Sequence, residues 1–224
     1  RFDSLAIYGP SLEVRRDTAG VLWIAGLAMQ PRDGVDGGLG DWLLAQRHVT
    51  VHDATITWLD EMRGAPGLRL DKVNFRLDRD RAMHRFGLTA VPPADIASQV
   101  VVRGEFPGHD VRELQSWNGR LYAEIGYADL ALARTWITAP LELTSGIGSL
   151  RLWLELNGAR VRSATADLGL VNVQTRLASD LPELALSEVH GRLGWTQDGD
   201  RTEISATSFG FTAASGLQLA PMTF

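Results

Sequence analysis

At 224 residues the chain is long enough for one large domain that buries roughly 70% of its unfolded surface. Hydrophobic residues at 45%, charged residues at 22% and a mean hydropathy of −0.05 exclude a disordered, collagen-like or membrane-embedded chain. A net charge of −5 with no run of Lys or Arg excludes the basic stripe of a nucleic-acid binder and a polybasic membrane patch, and the absence of Cys removes disulfides and thiol chemistry.

The first punctuation is Tyr8-Gly-Pro10, read as a turn between strands, followed by the apolar run Val21 to Met29, read as a strand or core segment. At nine residues that run is about half of what a membrane-spanning helix needs. The Gly-rich stretch Asp33 to Gly38 opens a short helix predicted over Leu39 to Arg47. From there period-two alternation dominates. Ala54, Ile56 and Trp58 alternate with Thr55 and Thr57, which marks a strand with one buried face. After the turn Arg63-Gly-Ala-Pro-Gly67, Leu68 and Leu70 are followed by Val73, Phe75 and Leu77, so the inward parity switches within one run. An extra residue in a strand does this, and it bends the strand.

Asp78-Arg-Asp80 reads as the next turn, and Pro92 and Pro93 with Asp95 and Ile96 as a turn or single helical turn. Leu121, Ala123, Ile125 and Tyr127 alternate with Tyr122, Glu124 and Gly126; Asp129 then caps a helix predicted from Leu130 to Ile137, with Trp136 packing inward. Leu150, Leu152, Leu154 and Leu156 alternate with Arg151, Trp153 and Glu155 up to Asn157-Gly158, the clearest hairpin signal in the chain. A second parity switch separates Leu184 and Leu186 from Val189, Leu193 and Trp195, and Gln197-Asp-Gly-Asp200 closes another hairpin. The chain is therefore expected to be mainly β: a long, curved antiparallel sheet, a β-groove or taco-like meander, with a few short helices. It reads as a single section over 1–224 with a central helix-containing insertion at about 107–140. The missing initiator Met and signal peptide suggest an internal piece of a longer chain.

No arrangement of reactive side chains stands out. His48 and His52 are spaced by Val, Thr and Val, so they belong to a strand about 13 Å apart, too far to share one metal ion. Ser145, Ser149 and Ser163 coexist with His84 and His190, but none lies in a nucleophile elbow. Glu105, Glu113, Glu124 and Glu142 have no distinctive pairing for glycoside hydrolysis, and Trp58 and Trp195 fall at alternating core positions. Gly146-Ile-Gly148 is too short for a phosphate loop. The reading is no enzyme, no cofactor and no metal. What remains is apolar surface: a curved sheet with too few helices to fill it leaves an apolar trough suited to acyl chains, unless two sheet layers close on each other as a sandwich.

The runs Gly40-Asp-Trp-Leu-Leu44, Val51 to Asp60, His84 to Pro93 with Val102 to Phe106, and Trp117-Asn-Gly-Arg-Leu-Tyr122 resemble those of YhdP-type proteins of the AsmA-like superfamily of Gram-negative bacteria. So do Gly148 to Leu154 and Leu184 to Trp195, and the similarity spans about residues 35–200. The resemblance implies a section of a long periplasmic chain anchored in the inner membrane. Its repeated curved sheets would form a hydrophobic groove like that of bridge-like lipid transfer proteins. It implies phospholipid as cargo between inner and outer membranes, support of the outer-membrane barrier, and neighbouring sections of the same chain as partners. Membrane contacts would lie outside this section. The family has no catalytic residues to carry over. Groove positions are assigned by parity: Ile56, Trp58, Phe75, Phe86, Leu88, Val102, Leu121, Ile125, Leu152 and Leu154, while the opposite parity carries Val101, Tyr122 and Trp153. The alternatives are a structural or interaction module with a closed β core and, third, a periplasmic hydrolase.

Overall fold

The computed structural model describes residues 4–29, 42–43, 45–81, 83–107, 118–137, 142–158, 160–176 and 182–224. The strands are β1 (Leu5–Tyr8), β2 (Ser11–Arg16), β3 (Leu22–Ile24), β4 (Leu27–Ala28), β5 (His48–Asp60), β6 (Leu68–Asp80) and β7 (Met83–Val91). They continue with β8 (Val100–Pro107), β9 (Gly119–Asp129), β10 (Glu142–Asn157), β11 (Arg160–Arg176), β12 (Leu184–Asp198), β13 (Arg201–Ala213) and β14 (Gln218–Met222). One short helix, α1 (Leu130–Ala133), follows β9. All the strands belong to one open 14-stranded sheet in which β5 to β14 are neighbours in chain order and antiparallel. That is the long meander the alternation predicts, and the two-layer sandwich is not formed: the sheet does not close.

Local chemistry explains the turns. Asn157 and Arg160 face each other across the β10–β11 hairpin, with Gly158 at φ 59°, and Asp198 faces Arg201 across Gly199 at φ 56°. Such positive φ is cheap only where Cβ is absent. Asp129 caps α1 by accepting from the amides of Ala131 and Leu132 at 2.9 and 3.1 Å. The helix ends at Ala133, earlier than predicted, and the Trp136 indole beyond it donates to the Pro66 carbonyl at 2.8 Å. Within the interval 107–140, β9 is an ordinary member of the sheet. The helix predicted over Leu39 to Arg47 lies mostly outside the described residues.

Three local expectations are corrected. Tyr8-Gly-Pro10 does not reverse the chain: β1 and β2 both run parallel to β5, beside Val49–His52 and Thr55–Asp60, so Gly9 and Pro10 only kink the line of these two segments along β5. Opposite that kink, β5 carries its own irregularity at Asp53, and the Gly9 amide donates to the His52 carbonyl. Asp78-Arg-Asp80 stays within β6, whose turn begins at Arg81, because Asp80 still pairs with Met83. The run Val21 to Met29, read as a strand or core segment, forms strand but as the small β3–β4 hairpin and not as core, with Leu22 and Leu27 exposed.

Both parity switches have a backbone cause. Lys72 adopts φ 48°, and this shifts the inward set of β6 from Leu68 and Leu70 to Val73, Phe75 and Leu77. In β12 the extra residue is Ser187, where the register with β13 shifts between Leu186 and Glu188, and Asn172 and Ser208, at φ 53° and 50°, accompany it in β11 and β13. Each bulge leaves the apolar side chains on the same face while bending the strand.

Candidate functional site

Cross-strand register places side chains, since directly opposed residues share a face. Phe75 opposes Leu88, Leu88 opposes Val102, Val102 opposes Ala123 and Ala123 opposes Leu152. The row continues from Leu152 through Ala166 and Leu193 to Ala206, eight strands wide and entirely apolar. A second row runs Leu77, Phe86, Gly104, Leu121, Leu154 and on through Ala164 and Trp195 to Ile204. Gly104 interrupts it sterically for a reason: a Cβ there would stand 2.4 Å from the Phe86 ring, which stacks on Phe106 at 5.8 Å. Ile125 stands in a third row between Val100 and Leu150, with Leu168 beyond. Ile56 and Leu88 pack against the buried cluster Ala54, Val73 and Ala90, and Trp58 follows Ile56 on the same side.

The ten positions assigned by parity therefore share one face of one sheet, and all ten are only half-buried. Among the described residues three apolar clusters are fully buried: Val49 with Leu77; Ala54 with Val73 and Ala90; and Val173 with Leu186, Val189 and Ala213. The ten positions leave out the β11–β13 half of the face, namely Leu168, Leu193, Trp195 and Ile204, although the alternation already turns Leu193 and Trp195 inward. Small residues at Ala164 and Ala166 mute the alternation in β11, and the register with Leu152 and Leu154 is what joins this half to the rows.

The opposite face is a charge ladder. His48 contacts Asp78 at 2.5 Å, Arg85 and Arg120 flank Glu105, Arg151 donates to Glu124 at 3.1 Å, and Arg192 donates to Asp167 at 2.5 Å. The Tyr122 hydroxyl, then Arg151, hold the Glu124 carboxyl below the usual range, and Arg192 does the same for Asp167. His52, on the same face as His48, stacks on Tyr8 at 4.9 Å. The two histidines are thus committed to separate partners. Ser145 donates to the Asn172 carbonyl and Ser163 to Glu155, each at 3.2 Å. Among the described residues no group of His, Asp or Glu could hold a metal ion, and no helix is long and apolar enough to cross a membrane.

One broad apolar sheet face, over which the described residues place no second sheet, backed by an ion-paired polar face, defines an open-sheet protein with an extended apolar surface. The family model described as YhdP protein matches residues 1–224, and the chain belongs to the YhdP family, in agreement with its motifs. No curated protein and no solved structure matches it.

Proposed function

We propose that the apolar face carries the acyl chains of phospholipids, as one section of a periplasmic groove between inner and outer membranes, with head groups left in water at the rim. The observation that carries this reading is the pair of apolar rows, one of them unbroken and the other interrupted only at Gly104, that cross strands β6 to β13 on a sheet that does not close. Seven strand steps at about 4.8 Å give a face roughly 34 Å wide, whereas one leaflet's share of a bilayer core is about 15 Å. The face exceeds what isolated surface hydrophobics produce. Each buried methylene contributes about 0.8 kcal/mol, so lipid can be held without a strong polar site. Membership of the YhdP family, at the coarse level a lipid-transport family, supports the same cargo. No chemical step is assigned to the protein, and the membranes are reached through parts outside this chain.

Native mass spectrometry of the chain purified from bacterial cells, followed by lipid extraction, tests this. The expected result is a spread of masses matching phospholipids that disappears in Leu152→Asp. Leu152 is half-buried, so the carboxylate stays hydrated and the fold is retained. A bare-protein mass from the natural chain, with its circular dichroism intact, would overturn the proposal in favour of a structural spacer.

A further inference from the structure

On the polar face two aromatic residues stand among charged neighbours, on the side of the sheet away from the apolar rows. Trp153 and Tyr122 stand directly opposite each other on β10 and β9, their rings 5.3 Å apart at an angle of 50°. Their neighbours in the same row are Arg103 and Thr165, and Trp153 is 37% exposed. Keeping over a third of an indole in water forfeits burial energy that a polar residue at this position would not need. Both rings are nevertheless fixed. The Arg192 guanidinium lies 5.5 Å from the Trp153 ring centre and is itself held by Asp167, while the Tyr122 hydroxyl donates to Glu124 at 2.8 Å.

Two recesses adjoin this pair. One of about 450 Å³ is bordered by Trp153, Tyr122, Arg103 and Glu105. The other, about 220 Å³, is bordered by Glu124, Arg151 and Asp167, with Gly126 and Gly169 keeping it open. We propose that this is a binding site for a neutral oligosaccharide. A sugar ring presents a C–H face and an edge of hydroxyls; the preset aromatic rings take the first, and the planar carboxylate and guanidinium groups take the second. Across both recesses Arg85, Arg103, Arg120, Arg151 and Arg192 meet Glu105, Glu124, Glu155 and Asp167, a formal balance of one positive charge. That balance gives a multiply charged phosphate no strong attraction. A protein partner would have to cover about 800 Å² and desolvate an ion-paired ladder, whereas a small, wet ligand leaves the ladder hydrated.

Saturation-transfer NMR on the full chain, with maltotriose and with the N-acetylglucosamine trimer as probes at low-millimolar concentration, tests the site. Transfer from protein to sugar C–H protons is expected for at least one probe, falling about tenfold in Trp153→Ala and recovering in Trp153→Phe. Phospholipid loading should be the same in all three proteins, which separates this site from the lipid face. Tyr122→Ala provides an independent variant should Trp153→Ala lose the native circular dichroism. Absence of transfer to either sugar, or transfer that neither variant reduces, overturns the proposal.

Discussion

Val73 and Leu152 lie on the same apolar face, yet their surroundings differ in a way that decides what each can do. Val73 is 1% exposed, closed in by Ala54 and Ala90 with Val51, Ile56, Leu70 and Leu88 around them. Removing two of its methyl groups leaves a void in a cluster that the sheet cannot collapse around. Val73→Ala is therefore expected to cost about 2 kcal/mol, lowering the thermal midpoint by roughly 4–8 °C, as read by calorimetry. A change below about 0.5 kcal/mol would mean that this cluster is not a packing centre. Leu152 has no such enclosure, so the same face holds both structural and surface-exposed apolar residues. Alternation in the sequence makes the shared face legible at both positions, because period two follows from the pleat alone. It does not distinguish them, because enclosure depends on neighbours from strands far away in sequence.

At the scale of elements, parity switches in the sequence locate the bends, although not the residue that makes each one. Lys72, Asp53, Asn172 and Ser208 all take positive φ within strands, and only the asparagine and the aspartate advertise that preference. Lys72 can be tested directly. Lys72→Gly should equal or exceed the natural chain in stability, since glycine enters this conformation without Cβ strain, whereas Lys72→Val should lose about 1–2 kcal/mol. Thermal unfolding of the two variants measures the difference, and an unchanged Lys72→Val would show that the strand has a second register available. The parallel pairing of β1 and β2 with β5 is not legible in the sequence at all. Gly9 and Pro10 are turn residues locally, but the free edge of β5 offers hydrogen-bond partners on both sides of the kink, and that pairing keeps the two segments in line.

For the whole molecule, the hydrophobic pattern is equally compatible with a sandwich and with a single open sheet, because each requires one apolar face per strand. What separates them is whether a second layer arrives, and that is a matter of chain order. With β5 to β14 each paired to its sequence neighbour, every strand among the described residues extends the same sheet and none of them returns to cover it. The polar face then has to remain compatible with water along its full width, and its ion pairs serve that end. Asp78, Glu124 and Asp167 on this face, and Asp60 held by Arg16 at the end of β5, all have carboxyls below their ordinary range because of arginine or hydroxyl donors. The unfolded chain takes up protons at these groups before the folded chain does. Their contribution is therefore complete above the ordinary carboxylate range and declines as pH falls through it toward the depressed folded values. The thermal midpoint should fall on acidification from about pH 5 to pH 3, and one that rises there would contradict the ladder's stabilising role. Lipid held by the other face answers to a different force. Added salt screens exposed ion pairs without weakening apolar burial, so phospholipid retention at neutral pH should be unchanged from low to high salt. Loss of lipid in high salt would instead point to capture by charged head-group contacts.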